Sequence, residues 1–269
     1  MKKTLYVTNC GDYEITLDGP SLWVKKPETS GFRIPLRILD YVYVHNNAMI
    51  SYEVLMALFS MKIPVAFYKN KTNVIVHITP YYDSGYFYDL NQRLISKKKE
   101  TIDKFNYFML KQKRDNQINT LSYISLNLGK AFNDNFFREE EYIYQVIKNC
   151  EHQKNKFFIL KKILRGMLRQ IIIKKCIDND FDPKIGIINT KDSMGLVKDI
   201  NVIIDPILDI VVIEFLKTKQ KGLWCGEKEL TNQGIKLLSI IYEKHKESLS
   251  NQIGRIINSI LKIFNTGEL

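Results

Sequence analysis

Apolar and polar side chains alternate in short runs over roughly the first 80 residues. The runs are TLYVT, EITLDG, SLWVKK, YVYVHN, IPVAFYK and NVIVHIT, and Gly, Pro or Asn separates them. Alternation bounded by turn residues is typical of half-buried strands. One segment, SYEVLMALFSMK, breaks the alternation with Ser51 as a helix N-cap and Glu53 in the first turn. The pattern predicts a strand-rich region interrupted by one helix.

Beyond Pro80 the apolar residues recur at helical spacing, with Lys and Arg between them. The segment TPYYDSGYFYDLNQ, rich in turn residues and tyrosines, separates the two patterns. The sequence therefore predicts an α+β protein, with a small β-rich N-terminal domain at 1–80, a linker at 81–92 and a larger all-helical domain at 93–269. The first long helical segment is LNQRLISKKKETIDKFNYFMLKQKRDNQINTLSYIS. The helices predicted after it are Arg138–Lys148, Lys156–Cys176, Leu196–Leu216, Asn232–Leu249 and Asn251–Phe264.

Charge and cysteine usage narrow the function. The 269 residues carry a formal net charge of +11, which favours a polyanionic partner, nucleic acid first. The four cysteines, at 10, 150, 176 and 225, form no C-x-x-C pair, and the histidines show no ligand spacing. The basic N-terminus lacks an apolar signal-peptide core, and acidic residues interrupt the most apolar run. We expect reduced thiols, a cytoplasmic location and no membrane insertion.

A row of cations marks the predicted helix Lys156–Cys176. Lys161, Arg165 and Arg169 are four residues apart and share one helical face, and Lys162 lies next to them. A rigid row of positive charge suits the phosphate backbone of DNA. An ordinary solvated helix face has the same appearance, so both interpretations stay open.

The stretch FDPKIGIINTKDSMGLVKDINVIIDP, from Phe181 to Pro206, gathers oxygen-bearing side chains around a Gly-containing turn. They belong to Asp182, Asn189, Asp192, Asp199 and Asp205. Oxygen ligands of this kind hold hard divalent cations, but a solvated loop with a helix cap has the same composition. Glu139, Glu140 and Glu141 open another predicted helix, where the helix dipole alone favours acidic residues.

Several blocks, in order, resemble the CRISPR-associated integrase and endonuclease family called Cas-one. They are RIPLRILDYVYVHNNAMISYEVLMALFSMKIPVAFYKNK, FDPKIGIIN, SMGLVKDINVIIDP and ELTNQGIKLLSIIYEKHKESL. The last three are similar to the family segments GLDPYIGFLH, SLALDLMEPFRP and LTPEGRRRLLEAFERRL. The resemblance implies a homodimer formed through the β-rich domain, a small CRISPR adaptation partner protein, and DNA as substrate. It also implies Mg²⁺ or Mn²⁺ in an active member.

The resemblance departs from the family at the metal ligands. Aligning GFLH on GIIN puts Asn189 at the family histidine, and aligning DLMEPFRP on DINVIIDP puts Val202 at the family glutamate. The same alignment retains the family aspartate as Asp199. The other family glutamate has no clear counterpart, because the pattern EGNAARIYF is largely absent, and Glu139, Glu140 or Glu141 is the assignment considered. Among the degenerate set, Asp199, Glu140 and Asn189 are the residues that could still contact a metal.

Three hypotheses follow. The first is a DNA-binding Cas-one-like protein whose own strand-transfer and nuclease activity is impaired or lost, acting as an architectural subunit or with an active paralogue. The second is an active metal-dependent enzyme with rearranged ligands. The third is a helical nucleic-acid- or protein-binding module unrelated to CRISPR.

Overall fold

The computed structural model describes residues 2–8, 13–26, 28–45, 48–69, 74–78, 86–150, 153–218, 220–226 and 229–266. Strands dominate the N-terminal part and helices the remainder, so the predicted α+β class is confirmed. The chain divides into two compact units, one formed by 1–83 with 221–239 and the other by 84–220 with 240–269. The predicted domain division at the linker 81–92 stays a prediction.

The first unit contains two four-stranded sheets. The first sheet has the order β1-β5-β7-β8, with β1, β5 and β7 parallel and β8 antiparallel to β7. The second has the order β4-β3-β2-β6. The strands are Lys3–Val7 (β1), Tyr13–Asp18 (β2), Ser21–Lys25 (β3), Phe32–Pro35 (β4), Leu39–His45 (β5), Ala48–Ile50 (β6), Val65–Lys69 (β7) and Val74–Ile78 (β8).

Residues from both sheets and from helix α1 (Tyr52–Ser60) form one buried apolar cluster, which includes Ile15, Leu22, Val44, Leu58 and Val65. The predicted Ser51 cap is confirmed, because its Oγ accepts a hydrogen bond from Val54 N at 3.4 Å. The alternation missed β4 and β6, which have four and three residues and therefore show little periodicity. It also missed the hairpin of β9 (Trp224–Cys225) and β10 (Glu229–Leu230).

The remaining helices agree with the predicted ones to within a few residues, except that the helix Leu126–Asp134 was not predicted and that two further differences occur. They are α2 (Asp89–Ile95), α3 (Lys99–Ile124), α4 (Leu126–Asp134), α5 (Glu139–Asn149), α6 (Lys154–Asp178), α7 (Gly195–Lys217) and α8 (Asn232–Thr266). The first difference is that α2 begins inside the predicted linker. The second is that Ser250 does not separate two helices, because the apolar stripe of α8 continues through Leu249 and Ile253, both buried.

Helix α7 is the most deeply buried helix of the second unit and carries Pro206 in its interior. A proline interrupts the backbone hydrogen-bond ladder of a helix. Two side chains of α3 contact carbonyls beside this interruption: Asn116 Nδ2 donates to Ile203 O, and Thr120 Oγ1 donates to Pro206 O, both at 2.8 Å. These bonds fix α3 against the middle of α7. Although α7 is long and mostly buried, no helix in the described part of the chain is long and apolar enough to cross a bilayer.

Candidate functional site

The loop between α6 and α7, residues 179–194, contacts the first turn of α7 closely. A Cβ added at Gly195 would lie 2.5 Å from Gly186 N, and one added at Gly186 would lie 2.7 Å from the Gly195 carbonyl carbon. Any larger residue at either position would force the backbones apart. The two glycines of GIIN and SMGL are therefore required for packing, and they bring Asn189 next to the start of α7.

Gln92 of α2 holds the beginning of this loop. Its side chain is fully buried, and its Nε2 donates to Asp182 O at 2.9 Å and to Ile185 O at 2.8 Å. Its Oε1 accepts from Asp182 N at 2.9 Å. A buried amide with all these bonds formed is a strong positional constraint. Sequence analysis missed Gln92 because it lies in the predicted linker.

Asp199 of α7 holds the end of the loop. Its Oδ2 accepts from Ile187 N at 2.7 Å and from Ile188 N at 3.2 Å. Its Oδ1 accepts from Asn189 N at 3.1 Å and from Asn189 Nδ2 at 2.5 Å. Burial raises the pKa of the Asp199 carboxyl above its ordinary value, and these hydrogen bonds oppose the increase. Both carboxylate oxygens are thus engaged by the loop that follows α6.

The other aspartates of the stretch each have a separate partner. Asp182 Oδ1 accepts from Lys184 N at 2.8 Å, and exposed Asp192 pairs with Lys198 at 2.6 Å. Asp205 faces α6, where its partners are Lys161 and Arg165. Among the described residues, no three His, Cys, Asp or Glu side chains come together in a way that could hold a metal ion. The aspartates of FDPKIGIINTKDSMGLVKDINVIIDP serve loop and helix packing.

The predicted acidic cluster at α5 is also engaged locally. Glu139 Oε2 accepts from Gln117 Nε2 at 2.9 Å and pairs with Lys113 at 2.7 Å. Glu141 Oε2 accepts from Arg138 N at 3.0 Å, which caps the helix. Exposed Glu140 lines a shallow surface depression with Phe132 and Tyr144. Helix capping and ion pairing account for Glu139 and Glu141.

A buried ionic chain connects α5, α6 and α7, and sequence analysis did not anticipate it. Tyr142 OH donates to Asp209 Oδ2 at 2.7 Å, and Lys161 Nζ lies 2.6 Å from Asp209 Oδ1 and 2.9 Å from Asp205 Oδ2. Arg165 then donates two bonds to Asp205, Nε to Oδ1 at 2.5 Å and Nη2 to Oδ2 at 2.8 Å. The buried ammonium therefore bridges two carboxylates.

Within this ionic chain, charge pairing opposes the effect of burial on the pKa values of the side chains. Burial raises the pKa of the Asp209 carboxyl, although Lys161 opposes the increase. Burial alone would also raise the pKa of Asp205, but its bonds with Arg165 and Lys161 outweigh burial and lower that pKa. Burial would lower the pKa of Lys161, and the two aspartates instead hold it above its ordinary value. The ammonium is therefore kept charged inside the protein.

The predicted phosphate-binding row on α6 needs one correction. Lys161 is only 6% exposed and its ammonium pairs with Asp205 and Asp209, so it cannot reach a DNA backbone. Lys162 and Arg169 are exposed, and the Arg165 side chain keeps 47% of its surface accessible. Spacings of three and four residues place these three cations on one face of α6. The exposed row is therefore Lys162, Arg165 and Arg169.

The family model for CRISPR associated protein Cas1 matches residues 5–161, more than half of the chain. Among curated proteins, none matches by sequence.

Solved structures share the fold at low identity. A CAS1 protein from Thermotoga maritima is 13% identical with a TM-score of 0.82, over 99% of this chain and 97% of that one. A casposase bound to its integration product is 12% identical with a TM-score of 0.73, over 100% and 92%. A Cas1 protein in complex with DNA is 10% identical with a TM-score of 0.67, over 95% and 91%. With the family model matching most of the β-rich region and the helices up to α6, the chain belongs to the CRISPR-associated Cas1 family.

Proposed function

We propose that this protein is a DNA-binding subunit of CRISPR spacer acquisition that lacks metal-dependent strand-transfer chemistry of its own. One observation carries the proposal. The carboxylate that the family pattern retains, Asp199, accepts hydrogen bonds at both of its oxygens from N–H donors of the loop before α7. The positions that the resemblance assigns to metal ligands are an amide, Asn189, and an aliphatic side chain, Val202.

The residues present do not fit the Mg²⁺ or Mn²⁺ that the family implies. Such ions prefer several oxygen ligands, carboxylates above all. The Asn189 amide donates to Asp199, which leaves one neutral carbonyl oxygen, and Val202 has no ligand atom. No step of catalysis is therefore assigned to this site.

The remaining family glutamate has an alternative register that packing supports. Gly129 of α4 is buried, and a Cβ built there would lie 2.8 Å from Ser122 Cα. The stretch Leu128-Gly129-Lys130-Ala131 keeps the glycine and the first alanine of the family pattern EGNAARIYF, and it puts Leu128 at the glutamate. In this register none of the family ligand positions carries a carboxylate or imidazole.

An integration assay tests the loss of chemistry. Purified protein is incubated with a short duplex, a supercoiled target and Mn²⁺, beside an active family member under the same conditions. We expect DNA binding without joined products or nicks from this protein, and joined products from the active member. Joined products from this protein, abolished by changing Asp199 or Glu140, would show instead that rearranged ligands sustain catalysis.

DNA binding is assigned to the exposed row Lys162, Arg165 and Arg169. Cations that neutralise phosphates release counterions, so affinity falls as salt rises. Changing Lys162 and Arg169 together to glutamine should weaken binding to all sequences alike and reduce the log–log salt slope by about 1 for each lost phosphate contact. The matched control is Lys244→Gln, an exposed lysine on α8. Fluorescence anisotropy at several salt concentrations measures both quantities, and an unchanged slope would exclude this row.

The same proposal includes assembly with a second copy of the protein through residues 1–80. It also includes assembly with a small adaptation partner or an active paralogue. Light scattering coupled to size exclusion tests the homodimer, and co-purification with a co-expressed small adaptation protein or an active family member tests the heteromeric assembly. A monomer at micromolar concentration would contradict the first.

A further inference from the structure

A surface depression of about 370 Å³ lies between α4 and α5, within the second unit. Phe132 of α4 and Tyr144 of α5 supply aromatic walls, and Glu140, Glu141 and Gln145 complete the lining. Glu140 and Tyr144 are four residues apart, so they lie on the same face of α5. None of the described lining residues belongs to the DNA-binding row or to the loop between α6 and α7.

The loop between α4 and α5 presents a further aromatic side chain, Phe136, which is 86% exposed. Arg114 of α3 fixes this loop, because its Nη2 donates to Asn135 O at 2.9 Å. The Arg114 guanidinium also lies over the rings of Phe136 and Phe137, 5.8 Å and 4.8 Å from their centroids. The Phe137 ring in turn contacts the ring of Phe132, at a centroid separation of 4.9 Å. An aromatic ring that is held in place at the surface is typical of an anchor for a protein partner.

The carboxylates of the depression define the charge of its ligand. Over the described part of the chain, the Glu140 carboxylate forms no hydrogen bond or ion pair. Glu141 uses Oε2 to accept from Arg138 N. Lys148, one turn beyond Tyr144, is not among the described residues that line the depression. The depression is therefore negative on a protein whose formal net charge is +11, so it favours a cation and disfavours the phosphates of a nucleic acid.

Arginine fits this combination of groups better than lysine does. Its guanidinium is planar, stacks on aromatic rings and donates to a carboxylate through two parallel N–H groups. The rings of Phe132 and Tyr144 provide the stacking surface, and Glu140 provides both carboxylate oxygens.

We propose that this depression receives an arginine side chain of a partner protein. The guanidinium pairs with Glu140 and stacks on Tyr144, and an apolar side chain of the same partner segment packs against Phe136. The inference does not depend on the proposed DNA binding, because it uses a different surface and a ligand of opposite charge.

Two peptides that differ only in charge test the arginine assignment on the unmodified protein. They are the acetylated, amidated tetrapeptides Leu-Gly-Arg-Gly and Leu-Gly-citrulline-Gly, used at millimolar concentration. Binding is followed by NMR of protein isotopically labelled at its phenylalanine and tyrosine rings, with the resonances of Phe136 and Tyr144 identified from their leucine variants. We expect saturable shifts of both resonances with the arginine peptide. Affinity for the citrulline peptide should be about 3–30-fold weaker, because citrulline keeps the shape but loses the cation.

Single substitutions then assign the contacts. Glu140→Gln removes the paired charge and Tyr144→Leu removes the ring, and each should weaken binding of the arginine peptide by about 2–5-fold. The matched controls are Glu247→Gln on α8 and Tyr107→Leu on α3, which change an exposed carboxylate and an exposed ring outside the depression. Both controls should bind the arginine peptide as the parent protein does.

The outcomes are distinct. Binding that weakens with citrulline and in Glu140→Gln, but not in Glu247→Gln, supports the proposal. Equal binding of the two peptides overturns it, because the site then selects apolar contact alone. Shifts of Phe136 and Tyr144 caused by a thymidine tetranucleotide and by neither peptide overturn it in favour of a single-stranded nucleic acid, and absence of any shift overturns it as well. The duplex-binding measurement on the α6 row is separate, so either proposal can fail while the other holds.

Discussion

Replacing Asp199 with alanine is expected to lower the free energy of unfolding by about 4 kcal/mol or more. The reason is the loss of both acceptor oxygens for the N–H groups of Ile187, Ile188 and Asn189 in a buried location. Each buried donor left without a partner costs about 1–3 kcal/mol. Since a domain of this kind is stable by only about 5–15 kcal/mol, urea unfolding at constant temperature should detect the change easily.

The matched control is Asp192→Ala in the same loop. Its carboxylate is exposed and pairs only with exposed Lys198, so its removal should change stability by no more than about 0.5–1 kcal/mol. Asp199→Asn should fall between the two, because one oxygen remains to accept. If Asp199→Ala were as stable as the parent protein, the loop would not depend on this carboxylate, and the argument against a metal role for Asp199 would fail.

Replacing Lys161 with methionine is the second change with a large expected effect, a loss of about 3–5 kcal/mol. Methionine fills a similar volume but leaves Asp209, which is 1% exposed, without its 2.6 Å ammonium partner. An uncompensated buried carboxylate is strongly destabilising, whereas the intact pair contributes little beyond an apolar replacement. Denaturation monitored by circular dichroism gives the magnitude.

A second substitution separates charge from packing. The double variant Lys161→Met with Asp209→Leu removes both charges, so it should recover most of the lost stability, limited by the Tyr142 hydroxyl that then loses its acceptor. Lys162→Met is the neighbouring control, and because Lys162 is exposed it should stay within about 0.5 kcal/mol of the parent. A double variant as unstable as the single one would mean that shape, rather than the unpaired charge, determines the loss.

The sequence predicted the parts of the fold that periodicity and capping determine. Ser51 marked α1 correctly, and the long helices from α5 to α7 end within two residues of their predicted limits. Periodicity missed the short strands because three or four residues give too few repeats to distinguish. It placed the end of the linker inside α2 because the preceding tyrosines and turn residues resemble a linker.

At the candidate site, spacing indicated which residues are charged but not which face each other. Lys161 and Arg165 looked equivalent, since both lie on one helical face. Only the position of α7 shows that Lys161 lies between Asp205 and Asp209 while Arg165 reaches the surface. Partners that lie about 40 residues apart in sequence cannot be found from local spacing. The same limit applied to Gln92, whose bonds join residues 90 and 93 positions away.

The hydrogen bonds of Asp199 also affect how catalytic activity should be inferred from membership of this family. An acidic residue that its own backbone requires will persist in a chain whether or not that chain carries out chemistry, because losing it would unfold the loop. Its presence therefore reports on architecture. Under the function proposed above, the side chains equivalent to 189 and 202 in a newly found relative, and not the aspartate at 199, would separate a working integrase from one that retains only the scaffold.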